Sequence, residues 1–549
     1  MSPYLFLLVA DVLQALIKKD ATVHNPLDSS SSCPVLQYAD DTLILLRGKL
    51  ADVRKLKHLL DQFSAATGLR INYHKSTAVP MHMREEDIPD CIAELGCRRE
   101  GFPQTYLGLP LSCEKLRLSA FDPYVCKADR YLAGWQATLL NPMGRTVLIN
   151  AVLDGHLSYI MSALPLPPGV VRQVDKRRRS FLWTGEGESN GANCLVAWDK
   201  VRCSKDQGGL GIKDLEVQNI CLLLKLLHRL YTGTQSSWAN WVRQHICLAS
   251  LEGDMAGAHW EVMRDMLPLY QAITSVSIGN GKATAFWHDV WLGEESIAEK
   301  FQALYSHCKE PKQSVHTVIS GGLRQLLVPR LTAVAARELQ EVNDILSGVA
   351  LTDAEDRRST PFAVADGGAL ITSGLYKMIK SSRDQPQQMD NSFWRSCAPP
   401  RIQFFAWLVL HGRLQCKTNL FKKKIVDNVT CEVCGGAPET IEHLLFFCPF
   451  SATVWQRLGV QLGEDVTARD LLHLQRPESL PPAHFDTFVL LCCWQLWKRR
   501  NGFVFRQESM SLLQFMQNCK LDARAWSCRL PRRDMSVSDL WCSAFSLAM

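Results

Sequence analysis

The sequence lacks the features of a membrane or secreted protein. The apolar run FVLLCCWQLW at residues 488–497 is too short to cross a bilayer. The opening segment MSPYLFLLVADVLQALIKKD has no basic region before its apolar stretch, and Asp11 interrupts that stretch, which is not the pattern of a signal peptide. We therefore expect no signal peptide, no transmembrane segment and no membrane partner. The expected location is intracellular, either nuclear or cytoplasmic.

Low-complexity sequence is also scarce, and its longest tract is DSSSSC at residues 28–33. Hydrophobic residues make up 47% of the chain and charged residues 21%, which excludes wholesale disorder. A chain of 549 residues is too long for one ordinary core. We expect roughly two to four domains.

The chain has only a small excess of positive charge, with a formal net charge of +6. Basic residues nevertheless cluster at Lys176–Arg179, Lys422–Lys424 and Lys498–Arg500. Such a run is usually a solvated face, although three of them permit contacts with nucleic-acid phosphates. Twenty scattered cysteines indicate a reducing compartment, in which clustered cysteines bind metal more often than they form disulfides.

Two adjacent carboxylates, Asp40 and Asp41, lie between apolar runs in VLQYADDTLILLRG at residues 35–48. The flanking residues favour strands, so the segment predicts a β-hairpin with the aspartates at its tip. In isolation such a pair is most simply a solvated turn. The alternative is a divalent cation, because clustered carboxylate oxygens are the ligands that Mg²⁺ prefers.

Helical and strand patterns surround this hairpin. Ser2 and Pro3 are a helix-start signal, and a second helix is expected to end at Gly68. The predicted apolar faces of the two helices are Leu5, Leu8, Val9, Val12 and Leu16, and then Val53, Leu56, Leu60 and Phe63. Residues 69–76, LRINYHKS, alternate like a strand that carries Lys75, and solvent exposure is the simplest reading of that lysine. YLGLPLS at residues 106–112 predicts a short strand with a turn.

The pattern is helical from about residue 116 to residue 232, with a turn at GGLGIKDL, residues 208–215. Residues 233–389 are the least informative part. Their dense FWHDVWLG segment, residues 286–293, is more consistent with a core than with a base-stacking platform.

A metal-binding pattern, C-x2-C-x8-H-x4-C, lies near the C-terminus. A tight turn at the glycines after the C-x2-C pair brings two thiolates onto one ion, and a helix then supplies the other two ligands. Four filled ligand positions predict a structural zinc. The alternative is four reduced side chains in an ordinary core. The predicted ligands are Cys431, Cys434, His443 and Cys448.

Several segments, in order, resemble the reverse transcriptase of plant LINE-type (non-LTR) retrotransposons. SPYLFLLVADVLQAL, LQYADDTLIL, GLRINYHKS and YLGLPLS resemble its palm. GWQATLLNPMGRTVLINAVLDGHLSYIMSALPLP, FLW and GGLGIKDLEVQN look like its thumb and post-thumb region. The Cys-Cys-His-Cys segment resembles the zinc-binding domain that follows, and WQLWKRRN is similar to the tail.

This resemblance implies roles for individual residues. Asp40 and Asp41 look like the palm carboxylates that hold two catalytic Mg²⁺ ions. Tyr38 would lie beneath the primer end, and Lys75 matches a lysine proposed to assist pyrophosphate departure. The implied partners are an RNA template, a DNA primer or target, and a deoxynucleoside triphosphate if the chain is active; no oligomeric state is implied.

Other parts of the family pattern are not found in this sequence. They include a further palm aspartate, the Gly-Asp-Pro-Leu stretch before Ser2, the fingers, the amino-terminal endonuclease and a ribonuclease H domain. The sequence therefore predicts a truncated reverse transcriptase whose own polymerase activity is doubtful. The alternatives are a non-enzymatic nucleic-acid-binding protein that uses the thumb and zinc module, and an inactive pseudogene product.

The expected fold class is α+β, with a partial palm followed by a mostly helical thumb and linker and a small zinc module. The predicted domains are a partial palm at 1–115, a thumb and post-thumb region at 116–232, a linker of unknown fold at 233–390, a zinc-binding domain at 391–475 and a helical tail at 476–549.

Overall fold

The computed structural model describes residues 2–20, 23, 35–133, 139–185, 193–232, 236–364, 368–384 and 390–549. The DSSSSC segment lies outside the described residues. The chain divides into two compact units, one made of residues 1–122 and 256–261 and the other of residues 123–255 and 262–549. Helices and sheets occur together, which confirms the α+β class. No described helix combines the length and the apolar character needed to span a bilayer.

In its described residues up to Leu111, the first unit combines three α-helices with three small two-stranded sheets. Its helices are α1 (Ser2–Lys19), α2 (Leu50–Thr67) and α3 (Ile88–Leu95). Its strands are β1 (Val35–Tyr38), β2 (Asp41–Ile44), β3 (Thr77–Ala78), β4 (Arg98–Arg99), β5 (Gln104–Tyr106) and β6 (Leu109–Leu111). Pairs β1–β2 and β5–β6 are antiparallel hairpins, and β3–β4 is parallel. The predicted strand and turn around YLGLPLS are therefore confirmed as the β5–β6 hairpin.

The predicted face of α2 is confirmed, whereas that of α1 is right only for Val9 and Leu16, which pack against the core. Helix α2 buries Val53, Leu56, Leu60 and Phe63 and ends at Gly68, whose left-handed φ of 76° suits glycine. The buried side chains of α1 are Ala10, Leu13 and Ile17, and the last two share a core with residues of α2 and β1. Leu5, Leu8 and Val12 of the predicted face are exposed. Helix α1 is apolar on more than one side, so spacing alone could not select the buried side.

The strand predicted at residues 69–76 is also wrong. Residues 69–72 have no regular structure, and residues 73–75 form a turn. The side chain of Asn72 accepts a hydrogen bond from the backbone N–H of Lys75 at 3.1 Å, which stabilises that turn. Tyr73 packs beneath the Lys57 ammonium group, 3.4 Å from the ring centre. The alternation of this short segment thus reflects a turn and its local contacts.

The rest of the chain is mainly helical. Its helices are α4 (Asp122–Ala133), α5 (Pro142–Leu148), α6 (Asp154–Met161), α7 (Pro168–Thr184), α8 (Trp198–Arg202), α9 (Leu215–Thr232), α10 (Ser237–His245), α11 (Ala258–Ala272), α12 (Ile297–Lys300), α13 (Gln302–Tyr305), α14 (Val315–Gly321), α15 (Ala333–Ser347), α16 (Thr372–Arg383), α17 (Pro400–Leu410), α18 (Lys417–Lys422), α19 (Pro449–Arg457), α20 (Phe485–Arg506), α21 (Leu512–Trp526) and α22 (Val537–Leu547). Two further antiparallel pairs join β7 (Ile246–Cys247) to β8 (Glu252–Gly253) and β9 (Ser275–Ser277) to β10 (Arg357–Ser359).

A large core in the second unit joins residues that are distant in sequence. Its fully buried members include Phe181, Trp407, Trp455, Phe488 and Trp541. Helix α17 is central to it, because every residue from 402 to 410 is buried. The predicted thumb, zinc and tail segments therefore contribute to one core.

The middle of the chain has a separate core around Phe286 and Trp287, which are both fully buried. This confirms that FWHDVWLG contributes to a core. Beside it, Arg358 makes a buried ion pair with Asp289, with Nη2 at 2.6 Å from Oδ2. In a buried pair of this kind each charge compensates the other, because either charge alone would be costly to keep away from water.

Candidate functional site

The β1–β2 hairpin presents the two aspartates to solvent. Tyr38 is paired with Asp41 across the strands, and Ala39 and Asp40 form the turn, with Ala39 at a left-handed φ of 50°. The side chains of Tyr38, Asp40 and Asp41 are exposed. Within the described residues, no hydrogen bond or ion pair engages either carboxylate. The predicted hairpin with the aspartates at its tip is confirmed.

The second hairpin lies against the first. The Tyr106 hydroxyl donates to the Leu36 carbonyl at 3.3 Å, so the tyrosine of YLGLPLS contacts the strand that leads to the aspartates. Burial, and then the negative charge of Asp41, raise the pKa of Tyr106. Tyr106 was not among the predicted site residues, although its place in the YLGLPLS segment was an available signal. Lys75 is exposed in the turn at residues 73–75.

The four predicted zinc ligands come together in the second unit. The sulfur and nitrogen atoms that Cys431, Cys434, His443 and Cys448 offer all lie within 4.8 Å of one another. Ligand atoms around a tetrahedral zinc are about 3.5 to 4 Å apart, given its metal–ligand distances. A small contraction would therefore close the cluster on one ion. Three thiols and one imidazole are also a donor set that zinc favours.

A tight turn positions the first two ligands. Cys431 and Cys434 lie on either side of it, and the Gly435 N–H donates to the Cys431 carbonyl at 2.8 Å. Gly435 has a left-handed φ of 67°, which glycine adopts without a steric penalty. The predicted role of the glycines after the C-x2-C pair is thus confirmed. The Cys431 N–H donates to the Ala437 carbonyl at 2.8 Å and holds the far side of the loop.

A π-helical turn at His443–Phe447 positions the other two ligands. Residues five apart point in different directions on an α-helix, because each residue advances by about 100°. In the π-turn the Cys448 N–H donates to the His443 carbonyl, five residues earlier, which widens the turn. His443 and Cys448 consequently face the same point. His443 Nε2 lies 3.3 Å from Cys434 Sγ.

Hydrogen bonds within the cluster favour a thiolate. The Cys448 thiol, and then the backbone N–H groups of Cys434 and Val433, donate to the Cys431 sulfur and lower its pKa. The same Cys431–Cys448 hydrogen bond, followed by burial, raises the pKa of Cys448. Thiolates are the metal-binding form of cysteine.

Two arginines of α20 lie beside the cluster. Arg500 makes a buried bidentate pair with Glu439, with Nη2 at 2.7 Å from Oε1 and Nε at 3.2 Å from Oε2. Glu439 belongs to the ligand loop, so this pair ties the loop to α20. Burial lowers the pKa of Arg499, while the Cys448 and Cys431 sulfurs oppose that effect. The sequence predicted neither the Glu439–Arg500 pair nor the position of Arg499 beside the cluster. The available signal was the basic run that follows the Cys-Cys-His-Cys pattern.

Two of the three basic runs are largely occupied by contacts within the protein. Arg178 is fully buried and pairs with Asp154 and Asp175, and Arg177 pairs with Asp129. Lys498 lies 3.5 Å from Asp522, next to the buried Arg500. The interpretation of these two runs as phosphate contacts is therefore wrong for Arg178 and Arg500, whose charges are buried with carboxylate partners.

The third basic run remains at the surface of the zinc module. Lys422 and Lys424 are exposed where α18 ends. Two large apolar side chains flank them, with Phe421 49% and Ile425 64% exposed. Cations interleaved with an exposed aromatic ring are a combination that suits a phosphate backbone with stacked bases.

Both candidate sites lie in segments that match known families. Residues 1–110 match the family model described as reverse transcriptase (RNA-dependent DNA polymerase). Residues 371–455 match the family model described as zinc-binding in reverse transcriptase. The first segment contains the hairpin with Asp40 and Asp41, and the second contains all four residues of the Cys/His cluster.

Two named proteins are also similar to this chain. One is an Arabidopsis thaliana protein named for ribonuclease H, 23% identical over 426 residues, with the match covering 73% of this chain and 67% of that protein. The other is an uncharacterized 149 kDa protein of transposon TX1 from Xenopus laevis, 25% identical over 208 residues, covering 37% of this chain and 15% of that protein. The two family segments and these relatives together support a retrotransposon reverse transcriptase lineage for the chain.

Proposed function

We propose that the chain carries the metal-binding hairpin of a reverse transcriptase palm, with Asp40 and Asp41 as ligands of catalytic Mg²⁺. The observation that supports this most is the exposed carboxylate pair on a hairpin tip, within the segment that matches the reverse transcriptase family. Among the described residues no cation pairs with these two adjacent negative charges, and a divalent cation would stabilise them.

The donor set fits the metal. Carboxylate oxygens that are open to solvent suit Mg²⁺, which keeps several waters and takes its remaining ligands from phosphates. When bound, such ions activate the primer 3′-hydroxyl and neutralise the triphosphate. Tyr38, next to the pair, would support the primer end, and Lys75 would meet the leaving pyrophosphate. The substrates in this proposal are an RNA template, a DNA primer and deoxynucleoside triphosphates.

We also propose that this chain by itself does not polymerise DNA at a useful rate. Among the residues described, no third carboxylate joins Asp40 and Asp41 in a metal-binding cluster. Two metals held by two exposed carboxylates are loosely positioned, and a misplacement of about 1 Å can cost on the order of a hundredfold in rate. A further carboxylate from another segment or subunit would complete the site.

Two measurements on the full chain test these proposals. Mn²⁺, which takes similar oxygen ligands, is titrated and followed by electron paramagnetic resonance. We expect weak binding that Asp40→Asn or Asp41→Asn reduces at least about threefold, since each removes a charged ligand. Asp90→Asn, at an exposed position of α3, should leave binding unchanged. Equal binding by all variants would exclude the hairpin as a metal site.

The second measurement is primer extension on an RNA template with Mg²⁺ or Mn²⁺. We expect no product above that of the Asp40→Asn variant. Extension by the parent chain that Asp40→Asn abolishes would overturn the proposed inactivity while supporting the metal site.

The zinc module serves a structural role in this proposal, because its four ligands leave no coordination position for substrate. A second candidate function, nucleic-acid binding without catalysis, is favoured by the exposed Lys422 and Lys424 with Phe421 beside them. In that case the zinc module presents a cationic surface to the template or target strand. An inactive pseudogene product is the remaining alternative.

A further inference from the structure

A thiol, an imidazole and a carboxylate outside the zinc cluster form a continuous hydrogen-bonded series. Cys397 Sγ lies 3.6 Å from His484 Nδ1, and His484 Nε2 lies 3.0 Å from Asp534 Oδ2. The three residues are separated by 87 and 50 positions in the sequence, so only the fold brings them together. A nucleophile within reach of a base that a third group orients is the arrangement by which enzymes activate thiols and hydroxyls.

The backbone on both sides of the thiol is held in place. The Cys397 N–H donates to Thr487 Oγ1 at 3.1 Å, in the first turn of α20. The Cys397 carbonyl accepts from Arg529 Nε at 2.9 Å. His484 directly precedes α20, and Asp534 ends the short 3₁₀ turn Arg532–Asp534. The imidazole and the carboxylate are therefore presented by the ends of defined elements, and hydrogen bonds to Thr487 and Arg529 hold the backbone of Cys397.

The charges assign the proton positions. The hydrogen bond from His484, and then the nearby Arg533, lower the pKa of Asp534, so this carboxylate is ionised and only accepts. His484 donates to this carboxylate from Nε2, and in the neutral imidazole Nδ1 is then the acceptor that faces the thiol. Burial, and then Asp486, raise the pKa of Cys397, while Arg529 opposes them. The thiol is thus protonated at neutral pH and needs a base to react.

We propose that Cys397 is a covalent modification site for soft carbon electrophiles, with His484 as its general base and Asp534 as a positioning residue. In the reaction with a haloacetamide, the Cys397 sulfur attacks the carbon that carries the halogen. The sulfur–carbon bond forms, the carbon–halogen bond breaks and halide leaves. The thiol proton passes to His484 Nδ1.

The test is the rate of alkylation at each cysteine, measured on the zinc-loaded full chain with iodoacetamide and site-resolved mass spectrometry. Cys528 is the internal reference, because it is exposed and its thiol donates a hydrogen bond to a backbone carbonyl, that of Ala525 at 3.4 Å. At pH 7 we expect Cys397 to react at least about tenfold faster than Cys528, since a positioned base contributes about 10²–10⁴-fold. Equal or slower reaction at Cys397 would overturn the proposal.

Variants separate base catalysis from a structural role. His484→Gln should slow alkylation of Cys397 at least about tenfold without changing Cys528. Asp534→Asn should have a smaller effect in the same direction, and Asp539→Asn of α22 should have none. Cys492 and Cys493 are fully buried, so a variant counts as folded when neither of these cysteines is labelled. An unchanged Cys397 rate in folded His484→Gln would exclude the imidazole as the base.

The pH profile provides an independent readout. The groups that face the pair are Asp486, Arg529, Asp534 and Arg533. A thiol that passes its proton to a neighbouring imidazole during the attack need not ionise first, so the alkylation rate should rise less with pH at Cys397 than at Cys528. Parallel profiles for the two cysteines would contradict base catalysis by His484.

Discussion

Glu439 and Arg500 illustrate how single residues hold the zinc loop. Glu439 is fully buried, and Arg500 is 4% exposed. Besides Arg500, Glu439 Oε1 accepts from the Lys417 backbone N–H at 2.9 Å, at the start of α18. One carboxylate thus connects the ligand loop to α18 and α20. Neither charge could be buried without the other, because an uncompensated ion away from water is costly.

Removing the charge of Glu439 should therefore destabilise the second unit. We expect Glu439→Gln to lower the free energy of unfolding by about 3 kcal/mol, since breaking a buried pair typically costs about 3–5 kcal/mol and glutamine retains some hydrogen bonding. The matched control is Glu432→Gln in the same loop, whose partner Lys417 lies at 2.7 Å in a pair that is 39% exposed on the glutamate side. That change should cost less than about 1 kcal/mol. Urea unfolding followed by tryptophan fluorescence measures both, and equal losses would contradict this account of the buried pair.

At the scale of elements, local patterns with one dominant face were predictable from the sequence. The β1–β2 hairpin and α2 are examples. The apolar residues of the hairpin strands favour one pairing around the turn, and the single apolar stripe of α2 leaves only one face to bury. The face of α1 was not predictable, since Leu5, Leu8 and Val12 compete with Ala10, Leu13 and Ile17 for burial and tertiary packing decides. The strand predicted at residues 69–76 is absent for a different reason. The hydrogen bond of the Asn72 side chain stabilises a turn and overrides the short alternation of apolar and polar residues.

The candidate sites divide in the same way. Ligand spacing in the sequence was sufficient to predict that Cys431, Cys434, His443 and Cys448 approach one another. It could not reveal the π-turn, because five-residue spacing on a regular helix would separate the last two ligands. The Cys397–His484–Asp534 series has no local signal at all, since its members are 87 and 50 positions apart in the sequence and meet only in the folded chain.

The loop and the π-turn together should require zinc. We expect about one equivalent of zinc per chain by elemental analysis, and Cys434→Ser should reduce it below about half an equivalent. The melting temperature of the second unit should fall by roughly 10 °C or more, because metal binding supplies several kcal/mol of folding free energy. Cys528→Ser is the control for loss of a cysteine that is not a ligand. Parent-like melting of Cys434→Ser would argue against the site.

At the scale of the whole molecule, the distribution of charge restricts where nucleic acid could bind. Arg178 and Arg500 are buried with carboxylates, and Asp40 and Asp41 repel phosphate unless metal is bound. The exposed part of the Lys422–Lys424 run is therefore the basic surface that best fits a phosphate backbone. The net charge of +6 is too small to predict binding by itself.

We expect nucleic acid to bind at this surface of the zinc module. Changing Lys422 and Lys424 to Gln in the full chain should weaken binding of RNA and DNA and reduce the slope of log affinity against log salt by about 0.7 to 0.9 per lost contact. Changing the exposed Lys282 and Lys309 to Gln removes the same charge elsewhere and should leave the affinity nearly unchanged.

Phe421→Ala should weaken binding of single strands by about 1 to 3 kcal/mol and spare duplexes, because only unpaired bases can stack on the ring. If both lysine pairs reduce the salt slope equally, binding follows net charge rather than this surface. If neither does, the lysines are a solvated face. Loss of duplex and single-strand binding alike in Phe421→Ala would point to a folding role for the ring, because a change in the fold affects every ligand whereas base stacking is confined to unpaired strands.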